Sequence, residues 1–270
     1  MEGRKISILG CGWLGITLLQ RLIEYGCEVK GSTTTERKLK TIKGYGATPY
    51  LLDLDKLDVN ILKLFLAESG VLIINIPPRR KIKEVKSYSK VLEGILPFLN
   101  NDQKVIFISS TSVYQNTNNW VDESFDLYPE TDSGMAVLNA EKCLKDDLGE
   151  RLTILRFAGL IGKDRHPGAF LAGRKDLLNG NAPINMIHQE DCIGLILEVI
   201  KKEFWGEVIN GVTSEHPLRK DFYTQATQAL GLEEPTFQEE NVTIYKLISN
   251  VKSVNQLGYT YLHDNPMEVI

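Results

Sequence analysis

The stretch Lys5-Ile6-Ser7-Ile8-Leu9-Gly10-Cys11-Gly12-Trp13-Leu14-Gly15 decides the fold. Ile6, Ile8 and Leu9 form a short apolar run that reads as a buried strand, and Gly10, Gly12 and Gly15 follow at the G-x-G-x-x-G spacing. Ile16, Leu18, Leu19, Leu22 and Ile23 then recur at helical spacing, and Gly26 offers a stop. A strand, a glycine turn and a helix in this order make a phosphate cradle. The helix start presents backbone N–H groups and a positive dipole end to a diphosphate. Gly12 lets the backbone approach that group without a Cβ in the way. Gly10, Cys11, Gly12, Trp13, Leu14 and Gly15 are therefore the candidate cradle of a dinucleotide. An ordinary glycine-rich turn would need neither the strand before it nor the amphipathic helix behind it.

The chain has 270 residues, 43% of them hydrophobic and 24% charged, as expected of a globular α/β protein able to bury a sizeable core. Its 31 basic and 35 acidic side chains give a net charge of -4 with no long run of one sign, so nucleic acid is not an expected partner. Cys11, Cys27, Cys143 and Cys192 lack metal-ligand spacing and read as reduced thiols, and no metal site is expected. With no leader pattern and no apolar stretch of ~18 residues, the expected location is cytoplasmic, away from membranes.

Strands and helices alternate along the first part of the chain, which predicts a Rossmann-like doubly wound parallel sheet. A second strand is expected over Cys27–Gly31, followed by Ser32-Thr33-Thr34-Thr35-Glu36-Arg37-Lys38. An acidic side chain there would accept from the ribose 2′-OH of NAD. Hydroxyls and cations suit the 2′-phosphate of NADP instead, so NADP is the preferred cofactor and NAD the alternative, with Thr33, Thr34, Arg37 and Lys38 as readers. Thr33 to Glu36 also fits a capping box, and both roles can hold together.

Ala47–Leu54 reads as a third strand whose end places Asp53 and Leu54 near an adenine edge, although Asp53 equally fits a helix cap. Val71–Ile76 reads as a buried strand, at whose carboxyl end Asn75, Ile76 and Pro77 line the cofactor cleft. A long helix is expected over Lys81–Leu99. The next strand, Lys104–Ile108, ends in the hydroxyl cluster Ser109-Ser110-Thr111-Ser112-Val113-Tyr114. Asn116–Gly134 reads as a polar loop, Met135–Leu148 as a helix and Thr153–Phe157 as a strand. Residues 1–162 are expected to form the dinucleotide-binding domain. Residues 163–270 are expected to form a small C-terminal α/β substrate lobe, with 181–211, including a strand at Ile184–Ile187, returning to the sheet.

Taken together, the glycine turn, Phe107-Ile108-Ser109-Ser110-Thr111-Ser112-Val113-Tyr114, Glu141, Ile154-Leu155-Arg156 and Ile187-His188-Gln189-Glu190-Asp191 resemble the extended short-chain dehydrogenase/reductases of the NAD-dependent epimerase/dehydratase group. The resemblance covers nearly the whole chain. It implies that Ser110 is the active-site hydroxyl beside the substrate's reacting oxygen, that Ser109 contacts the cofactor, and that Phe157, Ala158, Gly159 and Leu160 pass beside the nicotinamide. His188 and Asp191 match a motif that starts a helix, where Asp191 is expected to cap.

Two departures accompany the match. The group's turn is G-x-x-G-x-x-G, whereas the spacing here is similar to that of an atypical branch. The group's Tyr-x-x-x-Lys pair, aligned on Glu141, falls on Ser133 and Val137. Such a pair supplies general acid–base catalysis worth ~10²–10⁴-fold, and neither residue here can do so. Tyr128, in the covering loop, and His166 are candidate replacement acids; Tyr114 is expected to be structural. Thr111, Lys163, Arg165 and His166 are candidate substrate contacts. The implied activity is that of an oxidoreductase or epimerase on a small polar or nucleotide-linked substrate, and the alternative is a non-catalytic NADP(H)-binding sensor. The resemblance also implies a homodimer through the Lys81–Leu99 and Met135–Leu148 helices.

Overall fold

The computed structural model describes residues 1–78, 86–239 and 242–270. In chain order its elements begin β1 (Lys5–Leu9), α1 (Trp13–Glu24), β2 (Glu28–Thr33), α2 (Glu36–Gly44), β3 (Thr48–Leu51), α3 (Val59–Leu66), β4 (Val71–Ile74), α4 (Lys86–Glu93) and β5 (Lys104–Ser110). There follow β6 (Trp120–Val121), α5 (Asp132–Leu148), β7 (Leu152–Phe157), β8 (Gly159–Ile161), α6 (Gly168–Leu171), β9 (Met186–His188), α7 (Gln189–Lys202), β10 (Val208–Gly211), α8 (Arg219–Ala229), β11 (Leu247–Ile248) and α9 (Val251–Asn255).

A seven-stranded parallel sheet, ordered β10-β7-β5-β4-β1-β2-β3, confirms the expected doubly wound architecture. β1 pairs in parallel with β2 on one side and β4 on the other, so the strand order reverses at β1. Ligands of such sheets bind beside the carboxyl ends of the strands at that reversal, which is where the glycine turn lies. Every side chain of β4 is buried, as a strand covered on both faces requires. α1 turns Leu14, Leu18, Leu19 and Leu22 into the core, and Gly26, at φ 77°, takes the left-handed conformation that ends the helix.

The chain forms two compact units. One comprises Met1–Val113, Pro129–Leu155 and Ile196–Val208; the other comprises Tyr114–Tyr128, Arg156–Leu195 and Ile209–Ile270. The division is interleaved and does not fall at residue 162, because β7 and β10 each change unit part-way along the strand. Of 181–211, Val208–Gly211 joins the large sheet, whereas β9 pairs with β8 in a separate two-stranded sheet. The strand expected at Ile184–Ile187 starts later because the Ile184 N–H bonds to the Pro217 carbonyl at 3.0 Å. In this second unit Ile161, Ile184, Met186 and Phe222 form a small core of their own.

Other boundaries move for local reasons. β2 continues to Thr33, so Thr33 is not a helix cap; Thr35 precedes α2 and makes no side-chain capping bond. The Asn116–Gly134 loop contains β6, paired with β11, and ends early because the Thr131 hydroxyl caps α5 by accepting from the Gly134 N–H at 3.1 Å. Of the long helix expected over Lys81–Leu99, α4 ends at Glu93 and a 3₁₀ turn with Pro97 follows at Leu96–Phe98, while 81–85 lie outside the described residues. Among the described residues no helix is long and apolar enough to cross a membrane.

Candidate dinucleotide-binding site

The glycine turn is built from neighbouring strand ends. The Gly10 N–H donates to the Ser32 hydroxyl at 3.0 Å and the Cys11 N–H to the Ser32 carbonyl at 2.8 Å, tying the turn to the end of β2. The Asn75 amide donates to the Gly10 carbonyl at 3.0 Å, tying it to the end of β4. Gly10 sits at φ 105°, and a Cβ there would lie 2.7 Å from the Asn75 carbonyl oxygen. A Cβ on Gly15 would strike the Gly10 carbonyl oxygen. Gly12 differs from both: a Cβ there would meet nothing within 4 Å. The backbone beside Gly12 therefore borders open space at the head of α1. That helix has no side-chain cap and no acidic residue in its first turn, so its dipole end is left for an anion.

The expected 2′-phosphate readers separate into two groups. Thr33 is buried and its hydroxyl accepts from the Thr35 N–H at 3.1 Å, so it shapes the turn. Thr34 and Arg37 are exposed and Lys38 half-buried. Burial pushes the Cys11 thiol up to about 12, opposed by its bond to Ser32 and by the charge of Lys38, which places the ammonium within electrostatic reach of the glycine turn. Asp53 is a cap: its carboxylate accepts from the Asp55 N–H at 3.1 Å over the 3₁₀ turn that opens with Leu54. Asn75 acts on the turn itself, and the Ile76 carbonyl, ahead of Pro77, is taken by the buried Tyr88 hydroxyl at 2.5 Å.

At the end of β5 the two serines have different tasks. Ser109 is buried and donates to the buried carboxylate of Glu141 on α5 at 2.5 Å, so its hydroxyl is committed to holding helix to strand. The half-buried Ser110 hydroxyl accepts from the Ser112 N–H at 3.1 Å, which leaves its own proton to donate outward. Thr111 is buried beside them. Ser133 and Val137 occupy one face of α5. Ser133 is exposed, 3.2 Å from the Thr131 hydroxyl, and Val137 is buried, so no charge stands where the Lys of the dyad would be.

In the second unit, the segment after β7 is braced by its own neighbours. The Ala158 N–H bonds to the Gly211 carbonyl and the Gly159 N–H to the Asn185 carbonyl, each at 3.0 Å, and Phe157 packs on Gly211. Arg165 donates to the Leu160 carbonyl at 3.0 Å and lies over the Phe170 ring. His166 accepts from the Gly168 N–H at 3.1 Å, and Lys163 is exposed. Tyr128 is 65% exposed. Tyr114 is structural, as expected: it is buried, donates to Asn210 at 2.9 Å and accepts from Arg156 at 2.8 Å, and burial pushes its hydroxyl up to about 12.

Asp191 does not cap its helix. It is fully buried in the first turn of α7 and accepts from the Tyr259 hydroxyl at 2.9 Å, the Leu262 N–H at 2.7 Å and the His263 N–H at 3.1 Å, clasping the C-terminal segment. Its position in the motif was legible but its partners, some seventy residues away, had no local signal. Ser32, which anchors the turn, was also not singled out; its place directly after a strand and beside the glycine turn was the available signal.

This fold is shared with solved epimerases and short-chain dehydrogenase/reductases. A functionally unknown conserved protein from Silicibacter pomeroyi DSS superposes with a TM-score of 0.79 at 22% identity, over 99% of this chain and 96% of that one. UDP-glucuronic acid 4-epimerase from Bacillus cereus, solved with NAD, superposes with a TM-score of 0.77 at 20% identity, over 98% and 95%. No family model matches the sequence. The chain belongs to the family of protein YeeZ of Escherichia coli K12, with which it is 33% identical over 275 residues, covering 98% of each.

Proposed function

We propose that the first unit binds a nicotinamide dinucleotide, with NADP preferred over NAD, and that the chain is an oxidoreductase or epimerase acting on a small polar or nucleotide-linked substrate. The observation that carries the reading is the open space at Gly12 between two locked glycines, at the uncapped head of α1. The NAD held by the Bacillus cereus epimerase of the same fold supports it. Thr34, Arg37 and Lys38, a hydroxyl and two cations beside the exposed Glu36, favour a 2′-phosphate over a bare ribose hydroxyl.

When bound, the nicotinamide supplies hydride chemistry. The chain's own contribution is to hold the diphosphate on backbone amides and, through the outward Ser110 proton, to polarise a substrate carbonyl. With Ser133 and Val137 in the dyad positions, α5 supplies no matched acid–base pair. The same substitution favours a second reading, a sensor that holds NADP(H) without turnover.

Calorimetry with NADPH and NADH tests the proposal. NADPH is expected to bind more tightly, and Lys38→Ala to weaken NADPH about ten- to hundredfold while leaving NADH unchanged, the scale of one charge-assisted hydrogen bond. Equal affinities in the wild type would overturn the NADP assignment. Turnover of NADPH against a carbonyl panel, abolished in Ser110→Ala, separates enzyme from sensor.

A further inference from the structure

We propose that His188, Glu190 and His263 form a binding site for a divalent transition-metal cation, with zinc as the representative ion. One ligand atom from each residue lies within 4.8 Å of the others. The His263 Nε2 is 2.7 Å from a Glu190 carboxylate oxygen, and the two imidazole rings stand 4.0 Å apart, centroid to centroid. The three residues come from the end of β9, the first turn of α7 and the C-terminal segment, all within the second unit.

The chemistry selects the class of ion. Two imidazole nitrogens and one carboxylate oxygen suit zinc and its neighbours, whereas magnesium and calcium prefer oxygen alone. A tetrahedral ion with ligand bonds of about 2.0–2.2 Å holds its donors about 3.4 Å apart. The wider pairs must therefore draw in by at most about 1.4 Å while the His263–Glu190 pair, now at 2.7 Å, opens, both within reach of small side-chain rotations.

The surroundings limit how far the donors can wander. Asp191 fixes the backbone of Leu262 and His263 through their N–H groups, so His263 is delivered to Glu190 by a buried anchor. The side chains of His188, Glu190 and His263 are 15%, 47% and 26% exposed, which gives an ion a route in and leaves solvent to complete its coordination. The positive dipole end of α7 opposes a cation, and the carboxylates of Glu190 and Asp191 in its first turn offset it. The consequence of occupancy is a metal cross-link between the C-terminal segment and the start of α7.

The test is titration of the full chain, purified without a histidine tag and stripped with EDTA, with ZnCl₂ and separately with MgCl₂ in a calorimeter. The site predicts one zinc per chain and no magnesium. His188→Ala and His263→Gln should each weaken zinc at least about tenfold, and Glu190→Gln should do so with circular dichroism unchanged. His216→Gln, which alters a histidine outside the cluster, should leave zinc binding intact. Zinc should also raise the melting temperature of the wild type and not of the His263 variant. Absence of zinc binding overturns the proposal, and so does binding of equal strength in the wild type, His188→Ala and His263→Gln chains.

Discussion

Glu123 shows how burial and a single partner set the behaviour of a side chain. Its carboxylate, half-buried in the second unit, accepts from the Asn210 N–H at 2.7 Å, yet burial raises its proton affinity above the ordinary carboxylate range more than that bond lowers it. The folded chain therefore holds this proton more tightly than the unfolded one. The contribution is fully present below pH 4.5 and is lost as pH rises through the folded value. The stability of the wild type relative to Glu123→Gln should accordingly fall as pH rises above 4.5 in urea titrations; a difference that rises with pH would contradict it. At this scale the sequence was informative about residue type and less so about partner. Gly10, Gly12 and Gly15 could be read from their spacing within six residues, although the neighbour that forbids a Cβ on Gly10 is Asn75, far along the chain. Thr33, Asp53 and Asn75 were expected to face the cofactor, and their side chains hold backbone N–H and carbonyl groups of the scaffold. Spacing cannot tell a hydroxyl that holds a turn from one that reads a phosphate.

At the scale of elements, the run of strands and helices through β5 was legible because each buried strand is a short apolar run and each helix carries a repeating apolar stripe. The two-residue strands β6 and β11 were not, since four residues paired across a long sequence gap leave no periodic signal. The start of α7 shows the same limit. Its sequence identified a helix onset, but the side chain of Asp191 serves Tyr259, Leu262 and His263 instead of the helix amides. Asp191→Ala leaves three donors without their acceptor in a buried place and should cost on the order of 3 kcal/mol. Urea denaturation checks the figure, and a loss below about 0.5 kcal/mol, the range of an ordinary surface change, would show that the clasp contributes little.

For the whole molecule, alternation of elements was enough to predict the doubly wound parallel sheet, while its strand order and the division into units were not readable from the linear sequence. The first unit takes three separate segments, because the chain leaves it over Tyr114–Tyr128 and again from part-way along β7 to part-way along α7, and finally within β10. The cradle belongs to that first unit alone, and the zinc cluster to the second, so the two proposals fail or stand independently. The account rests on the space at Gly12. Its φ of -83° lies outside the left-handed region and a Cβ there meets nothing within 4 Å, so Gly12→Val probes the space directly, with its melting temperature measured alongside as the check on folding. The most direct measurement is calorimetric titration of NADPH into both chains. The account predicts binding by the wild type and at least about tenfold weaker binding, about 1.4 kcal/mol, by a Gly12→Val chain of unchanged melting temperature. Failure of both NADPH and NADH to bind the wild type, or equal affinity in the two chains, would contradict it.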